Sequence, residues 1–100
     1  MTSLEPRIII GQLAARRRAE LGLQLTDFAT MVGVHEVWIH TFECGAAING
    51  YRASLIERGL GWVPGISDRI EYEVNLGRLQ ASDIRMELLD AEDSPYKEDQ

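Results

Sequence analysis

The segment "LTDFATMVGVHEVWIHTFE", residues 25 to 43, constrains the fold most because two short helical patterns meet at one glycine. Apolar side chains recur at helical spacing on both sides of Gly33. A glycine there permits a left-handed backbone that a β-carbon would strain. Ala29 and Ile39 each lie five residues from Val34, and the small alanine allows close approach. The pattern predicts two short helices joined by a tight turn.

Three more helical patterns surround this pair. One begins at Pro6 and stops at Gly22, one follows the turn-forming pair Asn49-Gly50 as "YRASLIERGL", and one is "ISDRIEYEV". Outside the central pair, the side chains expected to face the core are Ile10, Leu13, Ala14, Leu21, Leu55, Ile56, Leu60, Trp62, Ile66, Ile70 and Val74. The prediction is a compact all-α domain of five helices.

Size and composition limit the class of protein. A chain of 100 residues, 45% of them hydrophobic, predicts one small folded domain whose modest core favours an oligomer. No run of about 18 apolar residues and no charged-then-apolar start are present, so a cytoplasmic location without membrane contact is expected. Cys44 is the single cysteine, which excludes an internal disulfide and a four-cysteine zinc site and favours a structural free thiol.

Charge is distributed unevenly along the chain. Residues 1 to 60 carry six arginines against six carboxylates, so the net charge of -6 arises entirely from residues 61 to 100. The overall field does not attract nucleic acid, so any DNA binding must come from a local patch and be sensitive to salt. The run Arg16 to Arg18 is one such patch, although a charge run on a helix is more often a solvated face.

The order "GLQLTDFATMVGVHEVWIHTFECG" resembles the Cro/XRE-type helix-turn-helix family of phage and bacterial repressors. The positions of that pattern are Gly22, Leu23, Ala29, Gly33, Val34, Ile39, Glu43 and Gly45. The resemblance continues into "IERGLGWVPG", similar to the ending of actinobacterial members, and covers roughly residues 8 to 75. It implies a lambda-repressor-like helix-turn-helix DNA-binding domain over residues 1–75 and an extension over residues 76–100.

The resemblance implies a sequence-specific, repressor-like transcription regulator that binds double-stranded operator DNA as a homodimer. The third helix would lie in the major groove, with Glu36, Val37, Thr41 and His40 toward the bases. A glutamate can accept from the cytosine amino group, and a valine can pack on a thymine methyl.

The family pattern also assigns flanking and structural positions. Residues expected at phosphates or beside the reading helix are Gln24, His35, Trp38, Asn49, Tyr51 and Arg52. Two of these depart from the family: Gln24 stands where a capping Ser or Thr is frequent, and Trp38 replaces a small residue. His35 can cap the third helix or touch phosphate. Arg18 and Glu43 are implied as a partly buried ion pair.

The same residues bear on other classes of function. "HEVWIH" approaches the zinc motif H-E-x-x-H, but an interval of five turns the second histidine about 140° away. No glycine-rich phosphate loop opens a helix, and Cys44 lacks an evident histidine partner, so we expect no enzyme, metal or cofactor. The alternative is a protein-interaction module on the same fold, such as an antitoxin or antirepressor, with weak or no DNA binding.

Residues 76–100 lie outside the resemblance. "ASDIRMELLDAE" favours a helix capped by Ser82, whereas the alternation of Ile84, Met86 and Leu88 leaves a strand open. Because five helices already close a domain, the apolar side chains of residues 76–91 are expected to form a dimerisation segment. Residues 92–100 are expected to be an acidic mobile tail.

Overall fold

The computed structural model describes residues 6 to 97, in which five longer helices are followed by two short ones. The five are α1 (Pro6–Glu20), α2 (Leu25–Val32), α3 (Glu36–Glu43), α4 (Gly50–Gly59) and α5 (Ile66–Asn75). A 3-10 helix, Ala81–Asp83, and the four-residue α6, Met86–Leu89, follow. The all-α prediction is confirmed, and this part of the chain contains no strand, only a β-bridge between Trp62 and Asp90. Nor is any described helix long and apolar enough to cross a membrane.

The turn between α2 and α3 has the predicted form. Gly33 adopts the left-handed conformation, with φ of 76°, and its N–H donates to the Ala29 carbonyl oxygen at 2.9 Å. The Val34 N–H donates to the same oxygen at 3.2 Å. Ala29, Val34 and Ile39 are all buried, so the two helices close on each other through small and branched apolar side chains.

The core side chains follow the sequence pattern with one exception. Ten of the eleven residues expected beyond the central pair are buried or half-buried, Trp62 among the most buried of them. Leu21 is wrong, because its side chain is 49% exposed. It lies one residue beyond the end of α1, in the turn at Gly22, where the helical stripe no longer fixes its direction.

Helix α1 crosses the C-terminal end of α3 at Gly11. A β-carbon at this position would lie 2.5 Å from the Glu43 carbonyl oxygen and 2.7 Å from that of Phe42. Only glycine leaves room for the backbone of α3, so this contact sets how closely the two helices pack.

A buried carboxylate from α4 caps the N-terminus of α5. The Glu57 side chain is fully buried and accepts hydrogen bonds from the backbone N–H of Gly65 at 2.6 Å and of Ser67 at 2.9 Å. Gly65, the N-cap residue of α5, has no side chain that could do this. Burial raises the pKa of Glu57, and the two backbone donors oppose that rise. The sequence pattern does not predict this role of Glu57.

The C-terminal extension packs back onto the chain. The Val63 N–H donates to the Leu89 carbonyl oxygen at 2.8 Å, and the Ala91 N–H donates to that of Gly61 at 2.9 Å. The expected continuous helix is wrong, because Ile84 has an extended backbone that separates the 3-10 helix from α6. Ile84 and Leu89 are buried in the core of their own chain, so neither can contact a second subunit.

The residues expected to form a mobile tail also make contacts as far as residue 97. Ser94 is buried, its hydroxyl oxygen accepts from the Tyr96 N–H at 3.0 Å, and the Tyr96 ring lies under the Arg69 guanidinium at 5.0 Å. Asp90 anchors the start of this segment through Arg17, with Nη2 to Oδ1 at 2.7 Å. Residues 98–100 lie outside the described residues.

Leu89→Ala is expected to lower the free energy of unfolding by about 2 to 5 kcal/mol, because it leaves a cavity at a fully buried site. Leu21→Ala is the matched control, since that leucine is 49% exposed and should change stability by about 0.5 kcal/mol or less. Urea denaturation of both variants measures the difference. Equal losses would show that the C-terminal segment does not complete the core.

Candidate functional site

Helix α3 has one side in the core and one side in solvent. Ile39 and Phe42 are buried, whereas Glu36, Val37 and His40 are exposed, with Val37 at 49%. These three are among the four positions that the family pattern directs toward bases. An apolar side chain so exposed in the first turn of a helix is available to a binding partner.

His35 caps the start of α3. Its backbone is extended, with φ of -60° and ψ of 143°, and its Nδ1 accepts from the Val37 N–H at 3.1 Å. An accepting Nδ1 carries no proton, so the neutral ring keeps its proton on Nε2. The structure therefore assigns His35 the capping role and leaves Nε2–H as a donor on an exposed ring.

Thr41, the fourth position of the predicted base-reading set, is partly engaged within the helix. Its Oγ1 donates to the Val37 carbonyl oxygen at 2.8 Å, and the residue is half-buried. The hydroxyl proton is thus used, and the oxygen retains only acceptor capacity.

At the other end of the helix, His40 Nε2 lies 3.6 Å from the sulfur of Cys44, a free and exposed thiol.

A cleft of about 440 Å³ opens beside the start of α3. Across it, the Arg52 guanidinium carbon lies 4.5 Å from the centroid of the Trp38 ring, a cation–π stack. Asn49 caps α4, its Oδ1 accepting from the backbone N–H groups of Tyr51 at 2.8 Å and Arg52 at 3.2 Å. The full lining is Gly33, Val34, His35, Trp38, Asn49, Tyr51, Arg52 and Leu55.

Five of the six predicted flanking residues thus meet in this cleft, and Gln24 does not line it. Gln24 is the exposed N-cap residue of α2 and makes no side-chain capping bond. The first N–H groups of α2 therefore lack the side-chain acceptor that a serine or threonine would supply, and Asp27 adds a negative charge in that first turn.

Arg18 holds the far end of α3. Its Nε lies 2.7 Å from Glu43 Oε2 and its Nη2 lies 3.1 Å from Oε1, a two-bonded ion pair. Arg18 Nη1 also donates to the Leu23 carbonyl oxygen at 3.0 Å. The hydrogen bond to Glu43 raises the pKa of Arg18. The pair implied by the family resemblance is thus present between α1 and α3.

The arginine run of α1 is bound within the chain. Arg16 pairs with Glu20 at 3.3 Å, Arg17 donates to the Leu60 carbonyl oxygen at 2.6 Å and pairs with Asp90, and Arg18 pairs with Glu43. Arg7 likewise pairs with Asp68 and Glu71. Of the arginines among residues 6 to 60, Arg52 is the one that lines the cleft beside the start of α3.

Two of these contacts differ from what the sequence pattern predicts. The pattern names Trp38 and Arg52 as separate flanking residues, but a stack between residues 14 apart depends on how α3 and α4 cross. The pair Asn49-Gly50 predicts a loop turn, whereas Asn49 caps α4 and Gly50 is its first residue. An asparagine before a helical pattern was the available signal for that cap. Among residues 6 to 97, no three metal-binding side chains cluster.

Comparisons of the chain with models of protein families, with curated proteins and with solved structures found no match. The geometry of the chain and its sequence pattern are therefore what bear on function.

Arg18→Met and Glu43→Gln are each expected to destabilise the fold, because each leaves a partly buried group without its partner. Breaking a fully buried pair costs about 3 to 5 kcal/mol of unfolding free energy, and the cost is smaller for this partly buried pair. The double variant should recover part of the loss, as coupling requires. Thermal or urea denaturation of the unmodified chain, the two single variants and the double variant measures the four unfolding free energies. Additive losses would contradict a direct interaction.

Proposed function

We propose that this protein is a sequence-specific DNA-binding regulator of the repressor type, a Cro/XRE-like helix-turn-helix protein that places α3 in the major groove of an operator. The observation that carries the proposal is the attachment of α3. Its inner side is buried, its C-terminal end is held by Arg18, and its outer side presents Glu36, Val37 and His40 to solvent. The major groove is wide enough to admit such a helix.

In this proposal the exposed side of α3 contacts base edges and the cleft beside it contacts the backbone. Arg52 supplies the positive charge, and its stack on Trp38 fixes the guanidinium with little further loss of entropy. The Nε2–H of His35 and the exposed hydroxyl group of Tyr51 add neutral donors for phosphate oxygens.

A homodimer on two half-sites about one helical turn apart completes the proposal. Tyr72 on α5 and Leu76, the C-cap residue just after that helix, have exposed side chains that a second subunit could cover. Ile84 and Leu89 are not available for this, because they lie in the core of their own chain. The proposed site of action is the cytoplasm, with no catalytic step.

A second candidate, a protein-interaction module of antitoxin or antirepressor type, is favoured by the charge distribution. Arg17 and Arg18 bond within the chain and Arg16 forms only an exposed pair with Glu20, so a DNA surface would rely on few cations. The cleft instead combines Trp38, Tyr51 and Arg52, the residue types that dominate the binding energy of protein interfaces.

Binding of the full chain to fragments of the region upstream of its own gene tests the proposal. We expect retention of one fragment at about 50 mM salt, competition by that fragment but not by a scrambled duplex, and a marked loss at about 200 mM. Equal, weak retention of every duplex, or none, would contradict sequence-specific regulation and favour the protein-interaction candidate.

Arg52→Gln is expected to weaken specific and non-specific DNA binding alike and to reduce the slope of log K against log salt by about 1 per subunit, because one phosphate contact is lost. Arg52→Lys should keep the slope. Arg58→Gln, in the last turn of the same helix, is the matched control and should change neither quantity. An unchanged slope for Arg52→Gln would remove Arg52 from the phosphate contacts.

A further inference from the structure

We infer that α3 selects pyrimidines on the strand it contacts, with a cytosine at Glu36 and a thymine methyl at Val37. This inference rests on the proposed function and names the class of sequence that the same surface would take. It follows from which hydrogen-bonding groups the exposed side of α3 offers and which it lacks.

Purine edges in the major groove are read with donors. Guanine presents the acceptors O6 and N7, and adenine presents one acceptor beside one donor, so arginine, lysine, asparagine and glutamine are the residues that bind them in pairs. The helix "EVWIHTFE" contains none of these four residue types. Its one hydroxyl, on Thr41, already donates to the Val37 carbonyl oxygen. The face is therefore poor in donors for a purine.

Glu36 favours cytosine by what its carboxylate can accept. It is exposed in the first turn of α3, and among residues 6 to 97 it takes part in no ion pair. An ionised carboxylate only accepts hydrogen bonds, so it suits the amino group of cytosine. Against guanine it would face two acceptors, and that repulsion excludes guanine at the same position.

Val37 favours a methyl group because it is an apolar side chain held in place. Its N–H is bonded to His35 Nδ1 and its carbonyl oxygen to Thr41 Oγ1, so both backbone polar groups next to the side chain are fixed. The 49% exposed side chain would bury apolar surface against the C5-methyl of thymine. Residues 36 and 37 both lie in the first turn of α3, and the inference assigns their two contacts to neighbouring base pairs.

His40 lies one turn further along the exposed side and does not set the same preference. An imidazole can donate or accept, so it is compatible with either a purine or a pyrimidine. The inference is therefore confined to the two positions read by Glu36 and Val37.

Selection of bound sequences from a random duplex library by the full chain is the first experiment. The expected half-site contains adjacent cytosine and thymine on one strand. The thymine is then replaced by deoxyuridine in the selected duplex, which removes only the methyl group. We expect about a fourfold loss of affinity, the value of one buried methyl group. In a duplex with cytosine at the position of that thymine, replacing the cytosine by 5-methylcytosine restores the methyl group and should raise the affinity by a similar factor.

Variants assign the two positions to their side chains. Val37→Ala should lose most of the difference between thymine and deoxyuridine, whereas Leu21→Ala, equally exposed but outside α3, should keep it. Glu36→Gln should shift the preferred base from cytosine to adenine by about tenfold, because glutamine can bond both adenine N6 and N7. Circular dichroism of each variant checks that the helices are intact.

The outcomes separate this inference from the proposed function. Two results would overturn the inference and leave DNA binding in place. One is a selected sequence with purines at the positions that respond to Glu36→Gln. The other is equal binding of the thymine and deoxyuridine duplexes. Failure to retain any duplex overturns both. A cytosine-thymine half-site whose methyl effect disappears in Val37→Ala supports both.

Discussion

The ion pair between Arg18 and Glu43 attaches the C-terminal end of α3 to α1, and the exposed side of α3 depends on that attachment. Each partner is mostly removed from water, so either charge without the other destabilises the fold. Gly11 lets the two backbones approach closely enough for the pair to form. With its inner side packed through Ile39 and Phe42, α3 is held at its end and along its length, which fixes the orientation of the outer side chains.

This use of charge inside the fold has a consequence for binding. Arginines that could have formed a basic surface instead join helices to each other and to the C-terminal segment, as Arg7 and Arg17 do with Asp68 and Asp90. The overall field of a chain with net charge -6 then does not attract DNA at long range. In the proposed complex with DNA, affinity would therefore come from short-range contacts of α3 and the Trp38–Arg52 stack, which favours selectivity over non-specific attachment.

The helices could be predicted from the sequence because their signals are local. Glycines such as Gly33 end helices through a backbone conformation that other residues resist, and apolar spacing identifies the inner side of each helix. The C-terminal segment could not be predicted in this way. Its structure is set by the bonds of Gly61 and Val63 to Ala91 and Leu89, more than 25 residues along the chain, and no periodicity reports such a pairing.

The candidate site also combines features that follow from local sequence signals with features that depend on contacts in the folded chain. Which residues occupy the outer side of α3 follows from helical spacing, so Glu36 and Val37 could be named from the sequence. Which hydrogen-bonding groups of each side chain remain free for a partner depends on the bonds that the side chain already makes within the fold. His35 has used Nδ1 to begin the helix, and Thr41 has used its proton on the Val37 carbonyl oxygen. Both bonds are made to the backbone of Val37, whose side chain is exposed. A β-branched side chain on a helical backbone has few rotamers to lose, so it loses little entropy in the proposed contact.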